Sequence, residues 1–227
     1  MKQILATLLL FLPIHGAVVN ANEALKIAKH HLKDNPIVLE AGAHYGEHTK
    51  VLSKLWPNGH IHAFEPYPDA YNKLIEATKD LSNVTCYPVA LFDRNGTVSF
   101  NVAQNLDAAS SILDASDARK NQYRGPKITV PCITLTDWQK KHEIDHIDFF
   151  WLDMEGVELQ VLMHNPKLLE KTSAMYVEVN FAEHRVNMTQ YHQLDQLLKG
   201  CGFFESYWHP YRWQQADILY TKNPVDY

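Results

Sequence analysis

The stretch IVLEAGAHYG, residues 37–46, decides the fold of this 227-residue chain. Its first four residues form a short apolar run that ends in Glu40, a pattern typical of a buried parallel strand. Gly42 lets the backbone turn close to a ligand, and Gly46 lets a helix start near the strand. Helical spacing follows directly over residues 47–55. This order of strand, glycine-containing turn and helix predicts the opening unit of an α/β sheet.

The alternation continues along the chain. Further parallel strands are predicted at residues 61–64, 84–91, 147–152 and 174–179. Helices are predicted at residues 23–33, 47–55, 68–81, 157–163 and 189–199, and Thr136 is predicted to cap a helix through Lys141.

Two other pairs of runs alternate as strands do. The runs 97–102 and 128–133 flank a polar stretch, residues 104–125, and predict a hairpin-like excursion on the sheet edge. The runs 203–209 and 216–221 predict a closing antiparallel pair. The chain is therefore predicted to be a doubly wound α/β protein. Its sheet is mostly parallel, seven-stranded and Rossmann-like, with an antiparallel C-terminal hairpin and an inserted hairpin or loop.

Composition bounds the function. The formal net charge of -5 argues against a general nucleic-acid-binding protein, because no basic face is available for phosphates. Cys86, Cys132 and Cys201 are scattered without a CxxC pair, so they predict buried free thiols rather than a disulfide framework or a zinc site. The length suits one domain, predicted to span residues 22–227.

Residues 1–21 have the layout of a secretory signal. A basic start precedes an apolar run, residues 4–14, and a small-residue exit ends at Ala21. The run is too short for a membrane span, so no transmembrane segment is expected in the mature chain. The alternative is a buried or membrane-surface helix that acts as an anchor.

The glycine-containing turn is followed by a second acid in register. Glu65 ends the next predicted strand nineteen residues after Gly46, where a carboxylate can accept hydrogen bonds from both hydroxyls of a ribose. A nicotinamide fingerprint requires glycine at position 44, and His44 there disfavours a nicotinamide oxidoreductase. Glu40 suits a ligand that carries a positive amine, so the pattern favours an amino-acid-bearing nucleoside. The alternative is an ordinary strand-to-helix turn.

A second group of polar residues lies at the carboxyl ends of the predicted strands 147–152 and 174–179. Asp153, Glu155 and Glu178 lie where α/β sheets place their ligands, and His184 follows closely. Such groups can orient an acceptor, accept its proton or hold a divalent cation. Asp153, Glu178 and His184 are the candidate catalytic residues, and Asp153, Glu155 and Glu178 are possible metal ligands. The alternative is that Asp153 caps a helix and Glu178 is solvated.

From residue 37 to about residue 179 the chain resembles the FkbM-type methyltransferases, a branch of the class I enzymes that use S-adenosylmethionine. The motifs that carry the resemblance are VLEAGAHYGEHT (38–49), AFEPYP (63–68), VAL (89–91), SSI (110–112), TLTD (134–137) and LDMEG (152–156). Two departures stand out: the family usually has Asp in place of Glu40 and often Asn in place of His44.

The resemblance implies an enzyme that binds S-adenosylmethionine and methylates a hydroxyl on a saccharide or small molecule. A non-catalytic nucleoside-binding module on the same fold is the alternative. The compartment stays open, because a signal favours export whereas the cofactor is a cytoplasmic metabolite. The implied cofactor-binding residues are Glu40, Gly42, Ala43, His44 and Gly46 around the methionine part, Glu65 and Pro66 around the ribose, Ala90 and Leu91 beside the adenine, and Asp153.

Overall fold

The structure is a computed structural model that describes residues 17–212 and 214–223. In chain order its helices and strands are α1 Ala17–His31, β1 Ile37–Ala41, α2 Glu47–Leu55, β2 His60–Phe64, α3 Pro68–Thr78, β3 Val84–Tyr87, β4 Ala90–Leu91, β5 Gly96–Asn101, β6 Lys127–Ile133, α4 Leu135–His142, β7 Phe149–Leu152, α5 Glu158–Leu162, α6 Pro166–Lys171, β8 Ala174–Asn180, α7 Tyr191–Gly200, β9 Phe204–Arg212 and β10 Gln215–Thr221.

The main sheet has seven strands in the order β3-β2-β1-β7-β8-β10-β9. The first five are parallel to one another, and β10 runs antiparallel to both β8 and β9. The predicted doubly wound, mostly parallel sheet with an antiparallel C-terminal hairpin is therefore confirmed. Strand order reverses between β1 and β7, and their carboxyl ends form the crevice in which such sheets bind ligands.

The two faces of the sheet are covered by different helices because side chains alternate along each strand. Phe149, Trp151 and Tyr176 pack in one apolar cluster with residues of α1 and α2, so this face is called the α1–α2 face. Phe150 and Val177 point the other way and pack against residues of α4, α6 and α7.

The segment from β4 to β6, residues 90–133, is called the inserted segment, and it differs from its prediction. The run 84–91 is not one strand: Pro88 interrupts it, and β3 joins the main sheet whereas β4 leaves it. β4 pairs with β6, and β6 pairs with β5, in a separate three-stranded sheet. The predicted excursion at the edge of the main sheet is thus wrong in its placement, since these strands have their own small core around Phe92, Val98 and Phe100.

Helix boundaries also depart locally from the prediction. Thr134 and not Thr136 caps α4, because the Thr134 hydroxyl accepts the amide hydrogen of Asp137 at 3.1 Å. The Thr136 hydroxyl instead donates to Asn165 Oδ1 at 2.6 Å. Helix α6 was not predicted, although Pro166 marks its first turn.

The structure tests only part of the predictions for the N-terminal residues. Residues 1–16, with the apolar run 4–14 of the predicted signal, lie outside the described residues, and the signal stays a prediction. Ala21 is buried within α1, which begins earlier than predicted. Within the described ranges, each helix is too short or too polar to cross a bilayer. Cys86, Cys132 and Cys201 are free thiols, as predicted, but only Cys132 is buried, and Cys86 and Cys201 are partly exposed.

Candidate functional site

The turn between β1 and α2, residues 42–46, is called the glycine turn. Gly42 and Gly46 have φ angles of 87° and 82°, and His44 lies at 48°. A Cβ atom at Gly42 would lie 1.8 Å from the carbonyl oxygen of Asp153, so glycine is required for both the dihedral and the space. The amides of Gly42 and Ala43 donate to the carbonyl of Phe64 at 3.1 and 3.0 Å, which ties the turn to the end of β2.

Glu65 follows β2 and is 5% exposed. One of its oxygens accepts the amide hydrogen of His44 at 2.8 Å, and the other accepts that of Tyr67 at 2.8 Å. Burial raises the pKa of Glu65 to about 7, although the two backbone hydrogen bonds oppose the rise. Since each carboxylate oxygen can accept more than one hydrogen bond, Glu65 retains acceptor capacity toward the cavity that it lines.

Glu40 lies beneath the glycine turn and is completely buried. Its Oε2 accepts a hydrogen bond from the Thr49 hydroxyl at 2.6 Å, and its Oε1 has no hydrogen-bond partner among the described residues. Burial raises the pKa of Glu40 to about 8, and the negative charge of Glu65 adds to the rise. A buried acceptor without a partner next to the glycine turn fits a ligand that donates a hydrogen bond at this turn.

The cavity beside the glycine turn encloses about 860 Å³ of space not filled by protein atoms, part of it open to solvent. Of the predicted cofactor residues, its walls contain Gly42, Ala43, His44, Glu65, Pro66, Ala90, Leu91 and Asp153. Glu40 and Gly46, also predicted to bind the cofactor, are not part of this wall. Sequence reasoning missed the lining residues Glu47, His48, Phe100, Asp107, Ala108, Met154 and Val157.

The polar stretch 104–125 closes one side of this cavity through a short 3₁₀ helix, Asp107–Ala109. The Tyr45 hydroxyl donates to Asp107 Oδ2, and His44 Nε2 lies 3.3 Å from Asp107 Oδ1. Ser110 also lines the cavity, whereas Ser111 is buried and donates to the carbonyl of Glu155 at 3.0 Å. The stretch is therefore fastened to the glycine turn and is not a plain surface loop.

Asp153, Glu155 and Glu178 form what is called the acid cluster. One carboxylate oxygen of each lies within 4.8 Å of the others, so the structure brings together the three residues predicted to converge. Burial and then the charge of Glu155 raise the pKa of Asp153 well above its usual range. Glu155 and Gly156 have φ angles of 55° and 108°, which turn the chain sharply beyond β7.

Asp153 does not cap the following helix, and Glu178 is not solvated, so the two alternative roles for these acids are wrong. Helix α5 has Val157 as its N-cap and no side-chain cap. The turn before it is held by Glu158, whose Oε1 accepts the amide hydrogens of Met154 at 3.0 Å and Gly156 at 3.3 Å. Glu178 is 6% exposed and accepts a hydrogen bond from Gln215 at 3.1 Å.

Arg185, which the sequence reasoning missed, joins the inserted segment to the acid cluster. It is 1% exposed, and its Nε lies 3.5 Å from Glu155 Oε2. Its guanidinium donates to the carbonyls of Ala109 and Leu113 and lies 4.4 Å from the centre of the Tyr123 ring. A cation at this point offsets part of the negative charge of the acid cluster.

His184 is buried beside Arg185 but is not part of the cavity wall. Its Nδ1 accepts a hydrogen bond from Arg119 Nε at 3.2 Å. The imidazole of His184 thus contacts the polar stretch 104–125 through Arg119. Its catalytic role stays a prediction.

Comparison with known proteins gives one family. The family model of the methyltransferase FkbM domain matches residues 40–204. The 2-O-methyltransferase NoeI of Sinorhizobium fredii is 29% identical over 161 residues, 66% of this chain and 66% of that protein. The hexuronic acid methyltransferase AglP of Haloferax volcanii is 22% identical over 160 residues, 70% of this chain and 62% of that protein. The chain thus spans less than two thirds of the length of these curated relatives.

Solved structures give the same fold at low identity. Fibrillarin of Aeropyrum pernix, solved with natively bound S-adenosyl-L-methionine, aligns with a TM-score of 0.50 at 14% identity, over 88% of this chain and 74% of that chain. A fibrillarin/Nop5p complex aligns with a TM-score of 0.51 at 17% identity, over 88% and 79% of the two chains. These similarities support the Rossmann-like fold alone.

Proposed function

The chain belongs to the FkbM methyltransferase family, and from that premise we propose that it transfers a methyl group from S-adenosylmethionine to a hydroxyl of a saccharide. One observation carries the proposal: Glu65, which is placed to accept hydrogen bonds from ribose hydroxyls, and Asp153 of the acid cluster line one cavity at the carboxyl edge of the sheet. A nucleoside held at the first would direct its reactive end toward the second.

The chain's own residues suit the cofactor. Glu65 accepts hydrogen bonds from the ribose hydroxyls, and the buried Glu40 next to the glycine turn has an oxygen, Oε1, that can accept a hydrogen bond from the ligand. The apolar side chains of Leu91 and Phe100 border the part of the cavity that takes the adenine. The bound cofactor supplies an already activated methyl group, so the protein mainly has to position the acceptor and manage its proton.

The acid cluster suits a polyhydroxylated acceptor. Carboxylates accept hydrogen bonds from hydroxyl groups, and Asp153 lies at the cavity wall where the acceptor hydroxyl has to approach. The two relatives support a saccharide, since one is a 2-O-methyltransferase and the other is a hexuronic acid methyltransferase. A divalent cation bound by Asp153, Glu155 and Glu178 stays a prediction. Measuring methyl transfer with and without the chelator EDTA tests it.

Cofactor binding tests the first half of the proposal. Isothermal titration of the full chain with S-adenosylmethionine and S-adenosylhomocysteine measures the affinity, and Glu65→Gln is expected to weaken it about 10- to 100-fold because a charged hydrogen-bond acceptor is lost. The control is Glu76→Gln on the exposed face of α3. Equal affinities in both variants contradict the assignment of Glu65.

Methyl transfer tests the second half. Labelled methyl groups from S-adenosylmethionine are followed onto neutral and uronic-acid-containing saccharides. Asp153→Ala is expected to lower turnover at least about 100-fold while the fold and S-adenosylhomocysteine binding persist. An active variant removes Asp153 from the site. Binding without transfer to any saccharide favours the non-catalytic module.

A further inference from the structure

His48 is the second residue of α2 and lines the cavity next to Glu47. The centre of its ring lies 4.5 Å from that of Trp151 in β7. Trp151 points to the α1–α2 face, and Asp153 follows it by two residues, which places both side chains on one side of the sheet. The imidazole thus lies at the rim of the crevice beside the position of Asp153.

The neighbouring strands bring further polar groups to the same face. Tyr176 of β8 is in register with Trp151, and Asp217 of β10 lies opposite Glu178. The Tyr176 hydroxyl donates to Asp217 Oδ2 at 3.2 Å, which holds that carboxylate on the α1–α2 face. His209 Nδ1 lies 3.8 Å from the same oxygen. The carboxylates that act on His48 are therefore Asp217 of β10 and its own neighbour Glu47 in α2.

Burial and charge act in opposite directions on His48. Burial lowers its pKa, the charges of Asp217 and Glu47 raise it, and the net pKa lies below the ordinary value. Near neutral pH the imidazole therefore has an unprotonated nitrogen available.

We propose that His48 is the catalytic base that takes the proton of the acceptor hydroxyl, and that Asp217 is a positioning residue for it. The assignment rests on the proposed function. As the oxygen–carbon bond forms, the sulfur–carbon bond breaks and its electron pair stays on sulfur. The hydroxyl proton passes to a nitrogen of His48, and water then removes it. The positive charge lost from sulfur is thus balanced by an imidazolium next to carboxylates.

Asp153 has a complementary part in this scheme. It accepts a hydrogen bond from the acceptor hydroxyl or from a neighbouring hydroxyl and so orients the oxygen toward the methyl group. Asp217 stabilises the imidazolium through its charge. Loss of Asp153 therefore impairs positioning, and loss of His48 removes the proton acceptor.

The first test separates chemistry from binding. His48→Gln is expected to lower kcat about 100- to 10,000-fold, with the affinity for S-adenosylhomocysteine and the unfolding temperature close to those of the wild type. The control is His192→Gln, since His192 is exposed on α7. Full kcat in His48→Gln overturns the proposal, and so does a parallel loss of S-adenosylhomocysteine binding, because that result indicates a structural role.

The second test measures the pKa of His48 in the absence of turnover. NMR titration of labelled histidine in the S-adenosylhomocysteine complex is expected to give His48 a pKa below 6.5, and Asp217→Asn is expected to lower it further because a charge that raises it is removed. The low-pH limb of the kcat profile should move in the same direction. A pKa above 7, or no response to Asp217→Asn, overturns the assignment.

Different results would contradict the proposed function and the assignment of His48 as the base. A wild-type chain that binds the cofactor but methylates no saccharide contradicts the proposed function. A wild-type chain that methylates a saccharide as fast as its His48→Gln variant contradicts the base assignment alone.

Discussion

The glycine turn and the acid cluster lie on the same edge of one sheet but are built in different ways. The glycine turn and Glu65 come from 24 consecutive residues, and backbone amides satisfy the carboxylate of Glu65. The acid cluster draws on two strands and depends on Arg185, a cation from a separate segment. The comparison teaches that the half proposed to bind the cofactor is formed by local geometry, whereas the half proposed to hold the acceptor depends on tertiary assembly.

The largest effect is expected from a substitution at Gly42, because this residue is where the glycine turn contacts Asp153 of the acid cluster. In Gly42→Ala the new Cβ meets the carbonyl of Asp153 at 1.8 Å, on a backbone with a φ of 87°. We expect the free energy of unfolding to fall by about 3 kcal/mol or more, as for other backbone strain combined with overpacking. Urea unfolding measures the change.

The matched control for this substitution is Gly200→Ala at the end of α7, where a Cβ meets nothing within 4 Å. That change should leave stability the same or slightly higher, since alanine is the better helix former. Equal stability in the two variants would show that the close approach at Gly42 relaxes easily.

An intermediate effect concerns the acid beneath the glycine turn. The folded-state pKa of Glu40 is raised from 4.5 to about 8, so the folded protein binds a proton more tightly than the unfolded chain does. Between these pH values the stability of the cofactor-free protein should therefore fall as pH rises, by up to about 1.4 kcal/mol per pH unit from this group.

Glu40→Gln removes this titration and should flatten the dependence of unfolding free energy on pH, as measured by urea unfolding between pH 5 and about 8. Glu76→Gln, at an exposed position, should keep the wild-type slope. The same slope in both variants would mean that Glu40 ionises in the folded state as it does in the unfolded chain.

The smallest expected effect sharpens the comparison at the inserted segment. Asp107→Asn removes the charge that fastens the 3₁₀ helix to His44 and Tyr45, a partly exposed contact of about 1 kcal/mol. Affinity for S-adenosylhomocysteine should fall about 5-fold by titration calorimetry. Asp117→Asn breaks an exposed pair in the same segment and should change nothing. A loss of 100-fold or more would mean that Asp107 contacts the ligand itself.

Prediction from the sequence succeeded where structure is local. The apolar run of β1, the glycines of the turn and the position of Glu65 directly after β2 were correctly predicted, because strand periodicity and positive φ angles leave direct marks on residue types. It failed at Pro88, where an apolar run continues through a break between two sheets. It also chose Thr136 over Thr134, since neighbouring threonines carry the same capping chemistry.

The site residues that were missed share a different cause. Arg185 lies 30 positions from Glu155 and 76 from Ala109, and neither spacing has a sequence pattern. His48 was one of thirteen histidines, and its position beside Trp151 follows from how α2 packs on the sheet. Asp217 reaches the α1–α2 face because β10 pairs with β8 in a particular register.

The sequence by itself determined the α/β class, the glycine-containing turn and the acids at or near the ends of two strands, because these depend on residues near one another in the chain. Tertiary structure alone decided that the acids converge within 4.8 Å, that Arg185 meets Glu155, and that His48 lines the same cavity as Asp153. The physical reason is that strand order and register set distances between residues far apart in sequence, and no local propensity encodes them.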